Sequence, residues 1–461
     1  MSLYSGLDAG REARVAERRQ GMVVLEQRIT LDTLDITDTE RYVARGYPWR
    51  EWDLLRREAP VFWYERPGFE PFWAITRHAD IGFVSRNPQL FSNTQRLRLD
   101  SIEGVDILER SRERNARRYG GSPSDPPDFI FMDPPAHREY RALTSKNFTP
   151  RAMAGLEQHF REMSGEFVSD FARGLAASHP AGEPLDFVHE LAAKLPVAAI
   201  CEMAAIPRED WEKVFHWTEV LIGAGDAEYQ RPGEDRETTA RRASGEWKAY
   251  TSALIEQRRD AGATGDDLVS MLVRAEVAGE PLSERELINY INLLLAAGNE
   301  TTRNATTGGV QALLQHPDQL SLLLENPSLV EPAVEEILRW TSIVIQFART
   351  CVEDTEIRGQ RIRKGETVAM WYPSANRDEA VFEDPYRFDI TRDPNPHFAF
   401  GGYGEHFCLG ANLARWELRV MLRALLPLLP DLELAGPAEM VAHSLHVGGI
   451  KRLPVRYRLR A

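Results

Sequence analysis

The sequence predicts a mainly α-helical protein with a small β-rich region, on three observations. Apolar residues recur at helical spacing through most of Thr149 to Val277 and again from Ser283 to His316. Strand-like runs are short and gathered in two places, around residues 61–76 and 343–368. The 461 residues are 43% hydrophobic and 27% charged, enough to bury a substantial core, yet no apolar run reaches the roughly 18 residues of a spanning helix. A formal charge of −14 argues against a nucleic-acid partner, which calls for a basic surface. The first twenty residues carry charges where a signal peptide needs its apolar stretch, so a cytoplasmic, unanchored monomer is expected. Cys201, Cys351 and Cys408 form no CxxC pair and no even framework, which suits a reducing compartment and excludes a disulfide scaffold.

In chain order, residues 1–36 read as an N-terminal arm ahead of one domain, 37–461. Thr37-Asp38-Thr39-Glu40 has capping-box spacing, and Trp49 to Glu58 is helical up to Pro60. Val61–Tyr64 and Phe72–Thr76 flank Arg66-Pro67-Gly68 as a hairpin, and His78 to Arg86 continues as a helix. Ser92 to Phe131 is charged, punctuated by Gly and Pro and poorly periodic, hence a long loop. Asp133-Pro134-Pro135 then opens a helix on which His137 and Arg141, four apart, share a face; a solvated pair is the default reading. Pro207–Leu221 and Arg236–Arg259 are helices joined by a mobile loop, and Trp211, Phe215 and Val220 on the first have core as their default.

Ser283-Glu284-Arg285-Glu286 is a capping box opening a helix of about thirty residues, roughly 45 Å long, that Pro317 stops. Its middle reads Ala297-Gly298-Asn299-Glu300-Thr301. Gly298 is a weak helix former, and the Thr301 hydroxyl can reach the Ala297 carbonyl, loosening the ladder and leaving room for a small ligand; close packing is the plainer alternative. Glu300 beside Thr301 in an apolar groove makes a proton relay whose acid is raised in pKa by desolvation. Glu336 and Arg339 lie one turn apart, Ile343 to Cys351 reads as a strand, and Glu356 to Val368 continues a small sheet.

The most distinctive stretch runs from Phe400 to Gly410 and leads into a helix-forming segment, Ala411 to Leu426. Cys408 therefore lies near a helix N-terminus, where backbone N–H groups and the dipole favour a thiolate. Gly402 and Gly404 let the chain turn back, and Gly410 admits a flat partner that a Cβ would block. A metal above the sulfur suits this geometry; an ordinary buried thiol is the alternative.

The loop resembles the cysteine-ligand loop of the cytochrome P450 family, Phe-Gly-x-Gly-x-His-x-Cys-x-Gly, at Gly402, Gly404, His406, Cys408 and Gly410. It departs in carrying Gly401 at the aromatic position, with Phe400 one place earlier. His397 and Arg415 extend the likeness to actinobacterial members that oxidise sterols and methyl-branched lipids. The resemblance implies a helical prism with haem b buried between the long central helix and the cysteine-loop helix, Cys408 being the axial iron ligand. It implies Thr301 and Glu300 as the catalytic proton relay, and His137, Arg141, Arg349 and His406 as propionate partners. Ala297, Phe400 and Gly410 complete the cofactor-binding positions, and Glu336, Arg339 and Arg392 form a structural triad. The implied reaction is monooxygenation: O2 and two electrons from a separate ferredoxin or flavodoxin, with one oxygen inserted into a C–H bond of an apolar sterol, terpene or fatty-acid-like molecule. Arg415, Arg419 and Arg423 recur every four residues and, with Lys451 or Arg452, would give that acidic carrier a basic docking patch. A non-catalytic haem-thiolate sensor has no use for Glu300-Thr301, and peroxide-driven relatives usually lack the threonine; these are the alternatives.

Overall fold

The structure is a computed structural model that describes residues 29–119, 122, 128–178, 183–223, 226–441 and 444–458. Of the expected arm, residues 1–28 lie outside the described residues. Residues 29–36 pack against the N-terminal sheet: Leu34 and Ile36 are buried, and the Tyr64 hydroxyl donates to Asp35 at 2.8 Å.

The helices are α1 Thr39–Arg45, α2 Trp49–Glu58, α3 His78–Arg86, α4 Ile102–Tyr119, α5 Ala136–Ser145, α6 Pro150–Ser178, α7 Lys194–Met203, α8 Trp211–Ile222, α9 Arg236–Asp260, α10 Leu268–Val273, α11 Glu284–Gln315, α12 Pro317–Glu325, α13 Val330–Thr341, α14 Tyr372–Ala375 and α15 Ala411–Leu425. The main sheet has the order β1-β2-β10-β7-β3, from β1 Val61–Tyr64, β2 Phe72–Ile75, β3 Phe91–Ser92, β7 Gln346–Cys351 and β10 Thr367–Trp371. Strand β10 runs parallel to β2 and antiparallel to β7, setting Val368 opposite Arg349. All five β10 residues are buried, as befits a central strand. Smaller sheets are built from β4 Leu185–Asp186, β5 Glu276–Val277, β6 Glu280–Pro281, β8 Thr355–Ile357, β9 Gln360–Ile362, β11 Leu432–Leu434, β12 Glu439–Met440, β13 Ile450–Arg452 and β14 Pro454–Tyr457.

Helix α11 forms the spine of the helical part. Its capping box is complete: the Glu286 amide donates to the Ser283 hydroxyl, and the Glu286 carboxylate accepts from the Ser283 amide. Around it α6, α7, α9, α13 and α15 bury one continuous apolar cluster that takes in Phe215 and Val220, while Trp211 packs against its margin. A Cβ on Gly309 would come within 2.8 Å of Ile337, so the absence of a side chain there lets α11 and α13 meet closely. The expected break at Gly298 does not occur: α11 is helical throughout, because the Thr301 hydroxyl bonds the Ala297 carbonyl without displacing the ladder.

Two further expectations change. The N-cap of α1 is Asp38, whose carboxylate accepts from the Arg41 amide, and the box at Thr37 does not form. Within the expected 92–131 loop, α4 forms an 18-residue helix. It draws support from charge pairs, Glu113 with Arg117 one turn on and Arg110 with Glu237 of α9, which an apolar-periodicity reading does not register.

Candidate functional site

The cysteine loop is fixed by close packing against α3. A Cβ on Gly404 would sit 1.8 Å from the Ser85 carbonyl oxygen, and one on Gly402 would sit 2.3 Å from the Ser85 hydroxyl. The need for glycine at both is thus contact, while the sharp turn falls at Gly401, φ +93°, and Tyr403, φ +56°. Gly401 replaces the expected aromatic because the backbone there is left-handed. Phe400 packs to one side, its ring 4.5 Å under the Arg415 guanidinium and edge-on to Phe407, and its carbonyl accepts the Cys408 amide at 3.0 Å.

Cys408 retains accessible surface although protein surrounds it on all sides, so its sulfur faces an internal cleft. Beside it a Cβ on Gly410 would meet nothing within 4 Å. Ala297, between half-buried Ala296 and Gly298 on α11, is likewise exposed, and Thr301 is half-buried. Burial pushes the Cys408 thiol up; the Gly410 amide, Arg141 and Arg415 pull it down, and burial wins. The protein's own groups thus do not by themselves favour the thiolate expected from the sequence; a cation at the sulfur would favour it.

Around this cleft, elements far apart in sequence deliver four basic side chains. Asp133 sets the first two: its carboxylate accepts from the Asn93 amide at 2.8 Å and from the Ser92 and Thr94 hydroxyls, tying the start of α5 to β3. Strand β3 pairs with β7, so His137 and Arg141 on α5 come near Arg349 on β7. His406 arrives from the loop, its ring 4.0 Å from that of His137. Both nitrogens of His137 and both of His406 are buried without a hydrogen-bond partner among the described residues, the Met132 carbonyl lying near His406 outside bonding geometry. Arg349 is buried and bonds only the Ala348 carbonyl, and Arg141 has no carboxylate partner among the described residues. The neighbouring acids are committed, Glu405 to Arg138 and Asp133 to β3. Burial first, then the adjacent arginines, hold His406 down at about 2 and His137 at about 4, so both rings are neutral donors.

Buried polar atoms of this kind call for an explanation. Two imidazoles and two guanidinia converging with no acid bonded to them, the nearby Glu405 and Asp133 being engaged elsewhere, make a receptor for the carboxylates of a bound group. With a thiol on the cleft wall and clear space beside Gly410, the residues fit haem: sulfur for its iron and a cationic cradle for its propionates.

Other expected pairings resolve differently. Glu300 and Thr301 are sequence neighbours whose side chains do not hydrogen-bond each other. The Thr301 hydroxyl donates to Ala297 at 2.8 Å. Glu300 is buried, raised in pKa by desolvation, and ion-paired to Arg303. Glu336 and Arg339 are wholly buried and joined at 2.7 Å, with Arg392 at 3.3 Å, so the structural triad assembles. His397 and Arg415 meet at Glu335, a partner the sequence reading passed over one place before Glu336. In the arginine stripe Arg415 pairs with Glu335 and Arg423 with Glu331, Arg419 is half-buried with no ion pair among the described residues, and Lys451 and Arg452 are paired with Glu228 and Glu439. Arg303, one turn after Glu300, was legible as a partner by spacing; Glu219, its second acid, lies 84 residues away and was not.

No helix of the described residues is long and apolar enough to cross a membrane. A model of the family described as "Cytochrome P450" matches residues 322–428. The chain is 41% identical to a methyl-branched lipid omega-hydroxylase of Mycobacterium tuberculosis, over 87% of this chain and 89% of that one. It is 38% identical to a steroid C26-monooxygenase of Rhodococcus jostii, over 92% of this chain and 84% of that one. Among solved structures, a Mycobacterium marinum cytochrome P450 in complex with pseudoionone superposes with a TM-score of 0.81 at 34% identity, covering 93% of this chain and 99% of that one. Sequence, fold and the cysteine loop agree, and the chain belongs to the cytochrome P450 family of oxygen-incorporating oxidoreductases.

Proposed function

We propose that this enzyme hydroxylates an unactivated C–H bond of an extended apolar lipid, of the sterol, methyl-branched or terpenoid kind, with electrons from a separate ferredoxin or flavodoxin. The observation that carries the site reading is the cradle of His137, Arg141, Arg349 and His406, to which no acid among the described residues is bonded. The lipid class rests on the relatives, whose names specify a methyl-branched lipid, a steroid and, at 35% identity, linalool.

Haem b, when bound, supplies the redox chemistry that activates O2. The chain's own residues do the rest. Cys408 would hold the iron, neutral His137 and His406 would donate hydrogen bonds to propionate, and Arg141 and Arg349 would supply charge to it. Phe400 would brace the loop that carries Cys408 through its carbonyl and its place under Arg415, and Gly410 and Ala297 would leave room for the group. Thr301 holds a proton at its hydroxyl within the groove, and Glu300, whose pKa burial raises against the pull of Arg303, supplies the next one.

Two measurements test this. The haem-loaded, reduced protein exposed to carbon monoxide should give the thiolate-type absorption band, and a folded, loaded protein without it ends the proposal. A Soret-shift panel of sterols, branched fatty acids, terpenes and small aromatics should respond to the first three; a response confined to small aromatics overturns the lipid assignment.

A further inference from the structure

The acid of the proposed relay is held in an arrangement the reaction does not explain. Arg303 of α11 bridges two carboxyls: it is paired with Glu300 through Nη2 and with Glu219 of α8 through Nη1 at 2.9 Å. Glu300 and Arg303 are deeply buried, and Glu219 is 16% exposed. Glu300 Oε1 and Arg303 Nε have no partner among the described residues. They border a cavity of about 10 Å³ lined by Glu219, Asp226, Tyr229, Glu300, Arg303 and Lys451, large enough for about one water. On the outer side Lys451, over the Tyr229 ring, is ion-paired with Asp226 and with Glu228 at 2.6 Å, and Glu228 is half-exposed. A polar file thus runs from the surface to the buried carboxyl.

We propose that Glu219 is the proton entry of this enzyme, refilling Glu300 through the cavity beside Arg303. This rests on the relay reading of Glu300. At rest Glu219 holds the one proton the two carboxyls share; it gives this proton through a cavity water to Glu300 Oε1 and becomes the carboxylate, and Glu300 passes a proton on toward Thr301 and is a carboxylate again. Bulk water reprotonates Glu219 past Asp226 and Lys451. Arg303 keeps its charge throughout, so the trio carries one net proton more than two carboxylates and returns to its starting state. The charged and titratable groups facing Glu219 are Arg303 and Glu300 of α11, Asp226, Glu228 and Tyr229 of the α8–α9 connection, and Lys451 of β13. Desolvation, opposed by Arg303 and reinforced by Glu300, lifts Glu219 to about 7, so it is a donor below that pH and loses the role above it.

The test is Glu219→Gln in the haem-loaded enzyme, beside Glu300→Gln. Glu219→Gln should keep the ligand-induced Soret shift, lower product formation roughly 100-fold, raise the solvent isotope effect and abolish the loss of rate above about pH 7. Infrared titration of the cofactor-free protein should show a protonated-carboxyl band that disappears near pH 7 and is missing in Glu219→Gln. Glu219→Asp should restore part of the rate with a displaced alkaline limb, and it carries the test if Glu219→Gln does not fold. Wild-type rate, pH profile and infrared band in the variant overturn the entry. If Glu300→Gln is slow while Glu219→Gln is not, the entry alone falls; if Glu300→Gln is unimpaired, the relay reading falls with it.

Discussion

Two clusters of polar and charged side chains inside this molecule are opposite in accounting. In the structural triad and its neighbour, each charge is answered by protein: Glu336 takes Arg339, Arg392, the Asn395 amide and the Asp389 N–H, and Arg339 also donates to the carbonyls of Asn376, Pro385 and Arg387. In the cradle, His137, His406, Arg141 and Arg349 find almost nothing. Complete satisfaction marks architecture, since a half-answered buried network costs more than an apolar core. Systematic dissatisfaction of one sign marks a receptor for the opposite sign.

The comparison can be broken in order of expected effect. Cys408→Ala should abolish the thiolate-type band altogether while circular dichroism stays native; a band that survives would place the ligand elsewhere. Arg339→Leu strands Glu336 without its main partner and should cost about 3–5 kcal/mol in chemical denaturation of the cofactor-free protein. Arg349→Leu should behave in the reverse sense: the cofactor-free protein loses no stability, since a buried cation without an acid is removed, but haem dissociates at least about tenfold faster, as expected for a lost charged hydrogen bond of about 1.5–3 kcal/mol. Equal losses of cofactor-free stability in Arg339→Leu and Arg349→Leu would erase the distinction.

The pH dependence sharpens it. Glu335 is held at about 2, because its bonds to His397 and Arg415 outweigh the desolvation that opposes them. A depressed carboxyl contributes stability that is full above its unfolded pKa near 4.5 and disappears as pH falls toward about 2. Glu335→Gln should therefore lower stability at pH 7 by on the order of 3 kcal/mol and flatten the acid limb between those values. The smallest effect is expected at Arg423→Ala, which breaks a half-exposed pair with Glu331 and should change stability by under about 1 kcal/mol. Charge reversal at Arg415, by contrast, would unseat the cysteine loop through Glu335 and Phe400 before it reported on a redox partner.

The sequence by itself determined the helical class, the capping box that opens α11, the hairpin of β1 and β2, and the cysteine loop, because each is written in contiguous residues whose spacing has a local physical meaning. It also named the four cradle residues, through the likeness of their motifs. It did not disclose that α4 is helical, since charge pairing rather than apolar period supports it, nor that Gly402 and Gly404 are glycine for contact with Ser85. Only the tertiary structure decided which charges are answered. Whether Arg415 is a docking charge or a brace, and whether Glu300 faces Thr301 or Arg303 and Glu219, depends on what a distant segment brings within about 3 Å, and a linear pattern carries no term for that distance.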